Sequence, residues 1–218
     1  MSRSYTHKSL LPMKIITNVL EQPFAYLLIQ NVLGGMRARK LCVQDYCEVS
    51  PGSNILDIGC GPGYVCQYFP NSNYFGFDPS ARYIDYAKKK FGTSAKFFAK
   101  EFTPSDLETL PRFDLIMLNG VLHHVDDATA HKILSLSGNA LNPGGTIMTI
   151  DPIFSPQQSF ASKFFTKLDR GKNVRYRNQY EQLARDAGLT VEAHERDDLL
   201  FIPTTLFVMK SQKTTDSH

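Results

Sequence analysis

The amino-acid sequence predicts an α/β fold: a largely parallel sheet, helices on both of its faces, and an antiparallel hairpin at one edge. Three observations carry this expectation. Short apolar strands alternate with helix-spaced segments between residues 54 and 150; a glycine turn follows directly on the first strand; and two strand-like runs near the end of the chain are joined by a short connection. Parallel neighbours need a crossover of about a dozen or more residues, so the last two runs must pair antiparallel.

The elements follow in order. Residues 10–35 are apolar but interrupted by Lys14, Asn18, Glu21, Gln22 and Pro23, short of the ~18 apolar residues of a membrane span. Phe24, Leu27, Leu28 and Val32 are spaced as on a helix, and residues 36–47 read as a second helix ended by the turn Ser50-Pro51-Gly52. Strands are expected over 54–58, 74–77, 95–99, 113–118 and 145–150. Helices are expected over 80–91, with Ser80 as N-cap and Gly92 beyond the end, and over 128–141. An irregular or helical insert, residues 152–177, precedes a helix over 178–187 and strand-like runs at 190–194 and 199–209. Residues 1–50 therefore form an N-terminal helical cap, 51–211 the main domain, and 212–218 a disordered tail.

A chain of 218 residues with 42% hydrophobic and 21% charged residues suits one globular domain. A net charge of +3 is too even for whole-surface attraction to nucleic acid or membrane. Charge is uneven only locally: residues 163–177 hold six basic residues and one acid, Asp169. Such a stretch either meets an anionic or polar partner or forms a solvated face, and Arg170 and Arg175 are its candidate substrate-binding residues. Cys42, Cys47, Cys60 and Cys66 show neither a metal-binding nor a disulfide spacing, and no leader is apparent, so reduced thiols in the cytoplasm are expected, with no metal.

In an open α/β sheet, ligands bind beyond the carboxyl ends of the strands. Three strand ends here are chemically marked: Gly59, Gly61 and Gly63 after the first, Asp78 after the second, Glu101 and Phe102 after the third. The glycine spacing is G-x-G-x-G, and Tyr64 occupies the place of the third glycine in the dinucleotide fingerprint, which disfavours a pyrophosphate cradle. Asp78 lies nineteen residues beyond Gly59, near the ~20 expected of an acid that accepts hydrogen bonds from ribose hydroxyls. A nucleoside ligand is implied.

Ile55-Leu56-Asp57-Ile58-Gly59-Cys60-Gly61-Pro62-Gly63 resembles the first motif of class I S-adenosylmethionine methyltransferases. The resemblance continues through Gly76-Phe77-Asp78-Pro79-Ser80, Phe113-Asp114-Leu115-Ile116 and Leu141-Asn142-Pro143-Gly144-Gly145, covering about residues 51–151. It implies a Rossmann-like, seven-stranded mixed sheet whose last strand is antiparallel, and S-adenosyl-L-methionine as cofactor. By position it implies that Asp57, Gly59, Cys60, Gly61 and Gly63 surround the methionine moiety, Asp78 and Pro79 the ribose, Glu101 and Phe102 the adenine, and Asn119 and Gly120 the sulfonium end. Lys100-Glu101-Phe102 departs from the Gly-Asp-Ala-like turn usual at the third strand, and Phe102 is equally suited to a place in the core.

Methyl transfer from a sulfonium requires alignment above all, and a base where the acceptor is a hydroxyl or protonated amine. His123, His124 and Asp151 sit at the ends of the fourth and fifth strands and are the candidate catalytic residues, with His124 favoured; capping or packing of the next helix is the competing role. The acceptor is expected to be a small molecule methylated on oxygen, nitrogen or carbon. Leu118-Asn119-Gly120-Val121 is unlike the Asn-Pro-Pro-Tyr motif of base methylation, and no basic domain is appended, so nucleic acid is not expected. A catalytically inactive cofactor-binding subunit and a nicotinamide-dependent oxidoreductase are the alternatives, and no feature of the sequence assigns an oligomeric state.

Overall fold

The computed structural model describes residues 22–168 and 171–214. Helices α1 (Pro23–Leu33) and α2 (Gly35–Tyr46) come first, then strand β1 (Asn54–Ile58), a 3-10 turn over Tyr64–Tyr68, β2 (Asn73–Phe77), α3 (Ala81–Phe91) and β3 (Ala95–Phe98). The chain continues through β4 (Phe113–Asn119), a 3-10 turn over Leu122–His124, α4 (Asp127–Ala140) and β5 (Leu141–Phe154). Helix α5 (Phe160–Leu168), the two-residue β6 (Arg175–Tyr176), α6 (Arg177–Asp186), β7 (Glu192–Arg196) and β8 (Leu206–Ser211) complete it.

The strands lie in the order β3-β2-β1-β4-β5-β8-β7, with β6 adding to the end of β5. β1 to β5 run parallel, and β8 runs antiparallel to both β5 and β7. The mixed sheet with an antiparallel last strand is therefore present. Two-residue periodicity divides the core: Ile55, Leu115 and Met117 pack with Ala38, Cys42 and Ile84 on one face, while Leu56, Ile116 and Leu118 pack with Leu134 and Tyr180 on the other. Ser80 caps α3 by accepting from the Tyr83 backbone N–H.

Several boundaries differ from expectation, β5 beginning at Leu141 and β7 spanning Glu192–Arg196 among them, and three have a clear cause. β5 extends through Pro152 to Phe154 because β8 pairs with it as far as Pro152 and β6 takes up Ile153 and Phe154. The final strand begins at Leu206 rather than at residue 199, since the preceding segment serves the N-terminal helices: the Phe201 N–H donates to the Leu33 carbonyl, and Arg37 Nη1 donates to the carbonyls of Asp198 and Leu199. The tail starts later than residue 212, because Gln212 and Thr214 exchange backbone hydrogen bonds with Thr190 and Gly188; residues 215–218, like 1–21 of the expected cap, lie outside the described residues.

The neighbours of β1 are β2 on one side and β4 on the other, so the connections diverge there and open a crevice beyond the carboxyl ends of β1 and β4. Helices α1 and α2 cover that crevice.

Candidate active site

The crevice is lined from below by Asp57, Gly59, Cys60, Pro62, Tyr64, Val65 and Asn119, and from above by Tyr26, Leu27, Met36 and Arg39. Its floor is the glycine turn. Gly59, Gly61 and Gly63 all have positive φ, and a Cβ on Gly59 would lie 2.6 Å from Val121 Cγ2, so the backbone both turns and approaches the turn after β4 as only glycine allows. The N–H groups of Gly59 and Cys60 donate to the Phe77 carbonyl, which ties the turn to the end of β2.

Asp78 continues that tie: Oδ2 accepts from the Gly61 N–H at 3.0 Å and Oδ1 from the Ser80 N–H at 2.8 Å. One lone pair per oxygen is used, leaving acceptor capacity on both. Burial raises the Asp78 carboxyl above its ordinary value, and the two N–H donors oppose the shift. The expected pairing of glycine turn and second-strand acid is thus a direct contact. Pro79 beside it is exposed.

Asp57 is fully buried, and its carboxyl is pushed from 3.8 to about 7 by desolvation, opposed by the Tyr74 hydroxyl and the Arg39 cation. Tyr74 donates to Oδ2; Oδ1 has no partner among the described residues, nor has either amide atom of the buried Asn119. Buried polar atoms without partners are costly. Three of them lining one crevice mark where a polar ligand would be bound. Arg39 supplies the cation: its guanidinium is braced by Gln30 Oε1 at 2.8 Å and the Tyr26 hydroxyl at 3.0 Å. Arg39 was not among the expected site residues. Its signal was helical phase, for it shares the Met36 and Val43 face of α2, whereas Lys40 is exposed and Arg37 turns to residues 198–199.

At the end of β3, Glu101 is exposed and the Phe102 ring is buried edge-on against Phe77, 5.2 Å between centroids, and Phe113, 6.4 Å. Phe102 is therefore a core side chain, and its ring is not presented to a ligand. Cys60 is buried with its thiol pushed well up by desolvation, so it packs as a neutral group.

Beyond β4, Gly120 turns the chain with φ of 73° and donates to the Ile150 carbonyl, bringing the 3-10 turn over β5. His123 is buried there, its Nδ1 2.6 Å from Asp151 Oδ1, and the same oxygen accepts from the His123 N–H at 3.1 Å. Asp151 is raised by burial, with His123 opposing. His124 is exposed and its ring lies 4.0 Å from that of His123. The carboxylate pairing thus falls to His123 rather than to the favoured His124, because the turn seated over β5 lays the buried His123 ring beside Asp151 and leaves the His124 ring on its outer side. Gly120 and Gly171 lie on either side of the His123 ring, Gly120 toward Cε1 and Gly171 toward Cδ2.

Arg175 does not reach out toward an acceptor. It is buried, with Nε on Asp127 at 2.8 Å, Nη1 on the carbonyls of Leu122 and Asn173, and Nη2 on the Val125 carbonyl. The guanidinium clamps the turn that carries His123. Arg170 lies outside the described residues.

A family model described as a methyltransferase domain matches residues 37–194. Phosphoethanolamine N-methyltransferase 1 of Arabidopsis thaliana is 29% identical over 175 residues, covering 76% of this chain and 34% of that protein. Ubiquinone biosynthesis O-methyltransferase of Rhodopseudomonas palustris is 32% identical over 115 residues, covering 50% of this chain and 44% of its own. This chain thus spans less than half the length of either. Among solved structures, human N-acetylserotonin methyltransferase in complex with SAM superposes with a TM-score of 0.67 at 19% identity, over 92% of this chain and 59% of that one, a likeness of fold.

Proposed function

Because the chain belongs to the methyltransferase domain family, we propose that it transfers a methyl group from S-adenosyl-L-methionine to a small-molecule acceptor. The observation that carries this reading is the convergence of the positive-φ glycine turn, the Asp78 carboxylate bonded to it, and the unpartnered polar atoms of Asp57 and Asn119 in one crevice. When bound, the cofactor supplies an electrophilic methyl group on a sulfonium with a neutral thioether as leaving group.

In this reading the protein's own groups bind and align. Asp57 and Arg39 bind the amino and carboxylate groups of the methionine moiety, Asp78 accepts from the ribose hydroxyls, and the Asn119 amide lies at the inner end of the crevice. The His123–Asp151 pair favours an acceptor with a proton to lose, a hydroxyl first. With Nδ1 held by the Asp151 carboxylate, Nε2 takes the proton and the carboxylate steadies the resulting imidazolium. The relatives act, by their names, on nitrogen and on oxygen of small molecules, which fits this class. Four free cysteines, three buried and one half-buried, suit a reducing compartment, and we place the protein in the cytoplasm.

Calorimetry against S-adenosylhomocysteine and a nicotinamide dinucleotide tests the reading. Saturable binding of the first and none of the second is expected. The reverse result, or binding of neither by folded protein, would overturn it.

A further inference from the structure

Helix α5 is built inside out. Its inward face carries polar side chains beside the half-buried Phe165: Ser162 and Thr166 are buried, and Thr166 Oγ1 accepts from Gln158 Nε2 at 2.9 Å, Gln158 also donating to the Ile153 carbonyl. Its outward face carries two of its three phenylalanines, Phe160 94% and Phe164 60% exposed, with Lys163 and Lys167 exposed between and beyond them. These four positions follow i, i+3, i+4, i+7, one stripe of the helix. A helix that only covered the sheet would place the phenylalanines inward.

The same edge of the molecule gathers the rest of the exposed apolar surface. Phe24, Leu28 and Val32 project from α1, which covers the crevice, and Phe201 from the connection into β8. That connection lies at the same edge, since β8 starts opposite Pro152 near the end of β5. Every large apolar side chain exposed among the described residues belongs to these segments or to β6, beyond the carboxyl ends of the parallel strands. Between residues 152 and 176 the sequence holds five basic residues, Lys163, Lys167, Arg170, Lys172 and Arg175, against one acid, Asp169, and of these Arg175 is turned inward.

Phenylalanines that insert and lysines that meet negative charge, on one face of one helix, are the recognition chemistry of an anionic lipid surface. We infer that α5 docks this edge peripherally on an anionic membrane, with the mouth of the crevice toward the lipid. No helix among the described residues is long and apolar enough to cross a membrane, so the attachment is to the surface. Docking adds a partner to the methyl-transfer reading and does not depend on it.

Flotation of the full chain with vesicles of phosphatidylcholine containing about a third phosphatidylglycerol, compared with pure phosphatidylcholine, tests the inference. Binding to the anionic vesicles is expected, weakened by salt. Lys163→Gln with Lys167→Gln should weaken it about fivefold per lysine at low salt, and Phe160→Gln with Phe164→Gln by at least about tenfold. Both pairs are exposed, so circular dichroism and S-adenosylhomocysteine affinity should stay unchanged, which separates failure here from failure of the proposed function. Failure of the wild type to float with anionic vesicles would overturn the inference, as would equal binding to neutral ones or wild-type binding by the phenylalanine pair. Sedimentation of the wild type as a dimer that the phenylalanine pair dissociates, without vesicle binding, would assign the face to a second copy instead.

Discussion

Protonation of Asp57 should set the pH dependence of cofactor binding. Desolvation carries its carboxyl from 3.8 to about 7, and Oδ1 has no partner in the protein. A ligand amino group, cationic below about pH 8, pairs with the ionised carboxylate, so below the folded pKa binding must first expel a proton. The apparent dissociation constant of S-adenosylhomocysteine should therefore be level above about pH 7 and rise on acidification, about fifty-fold between pH 7 and pH 5. Asp57→Asn should bind weakly and with no such slope. Stability of the ligand-free protein runs the other way: the folded state holds the Asp57 proton more tightly than the unfolded chain, so this group's contribution falls as pH rises from 3.8 to about 7 and is level above. A displacement from 3.8 to about 7 corresponds to about 4 kcal/mol as an upper bound, which Asp57→Asn should recover at about pH 8 in urea melts, with little difference near pH 4. Calorimetry across the range checks the binding arm. A level wild-type dissociation constant from about pH 5 to 8 would refute the pairing, and a slope retained by Asp57→Asn would move it to another group.

Asp78→Ala should weaken S-adenosylhomocysteine binding by about 1.5 to 3 kcal/mol with the protein still folded, and an unchanged dissociation constant would put the ribose elsewhere. His123→Gln should lower labelled-methyl turnover by about 10²- to 10⁴-fold while cofactor affinity persists, and His124→Gln should stay near wild type; the opposite ranking would move the base to the exposed ring. Arg175→Met strips donors from the carbonyls of Leu122, Asn173 and Val125, and should cost at least about 1 to 3 kcal/mol in denaturant stability, the range for one buried acceptor left unsatisfied. A loss below about 1 kcal/mol would mean that the turn holds itself.

The five parallel strands and the glycine turn were legible because each element carries its own signal: strand residues with a two-residue period, left-handed glycines after β1, an acid at a fixed distance after β2. The contact between Asp78 and the Gly61 N–H follows from those local features. What was not legible depends on neighbours distant in the chain. Which of two adjacent histidines meets a carboxylate is decided by how β5 lies beside β4, and Asp151 is 28 residues from His123. Arg175 reads from sequence as one of a cluster of surface cations, yet carbonyls of residues 122 and 125 draw it inward. Residues 199–205 have the apolar character of a strand, but their backbone bonds go partly to α1 and α2, so the ladder starts later. Phe102 stands beside a marked strand end, where adjacency alone does not say that its ring turns into the core.

The latch between Phe201 and Leu33, and between Arg37 and residues 198–199, joins the two sequence extremes of the described chain. During synthesis α1 and α2 leave the ribosome well before the segment that fastens them, and the sheet from β3 to β5 is complete in between. The lid of the crevice thus gains this last fastening only after β7 is made, although α2 already packs on the sheet, whereas Asp78 and the glycine turn are in place as soon as β2 pairs with β1. A nascent chain arrested before residue 198 would already hold the glycine turn, Asp78 and the Gln30 and Tyr26 braces of Arg39, and would lack the fastening that residues 198–201 give the lid above them.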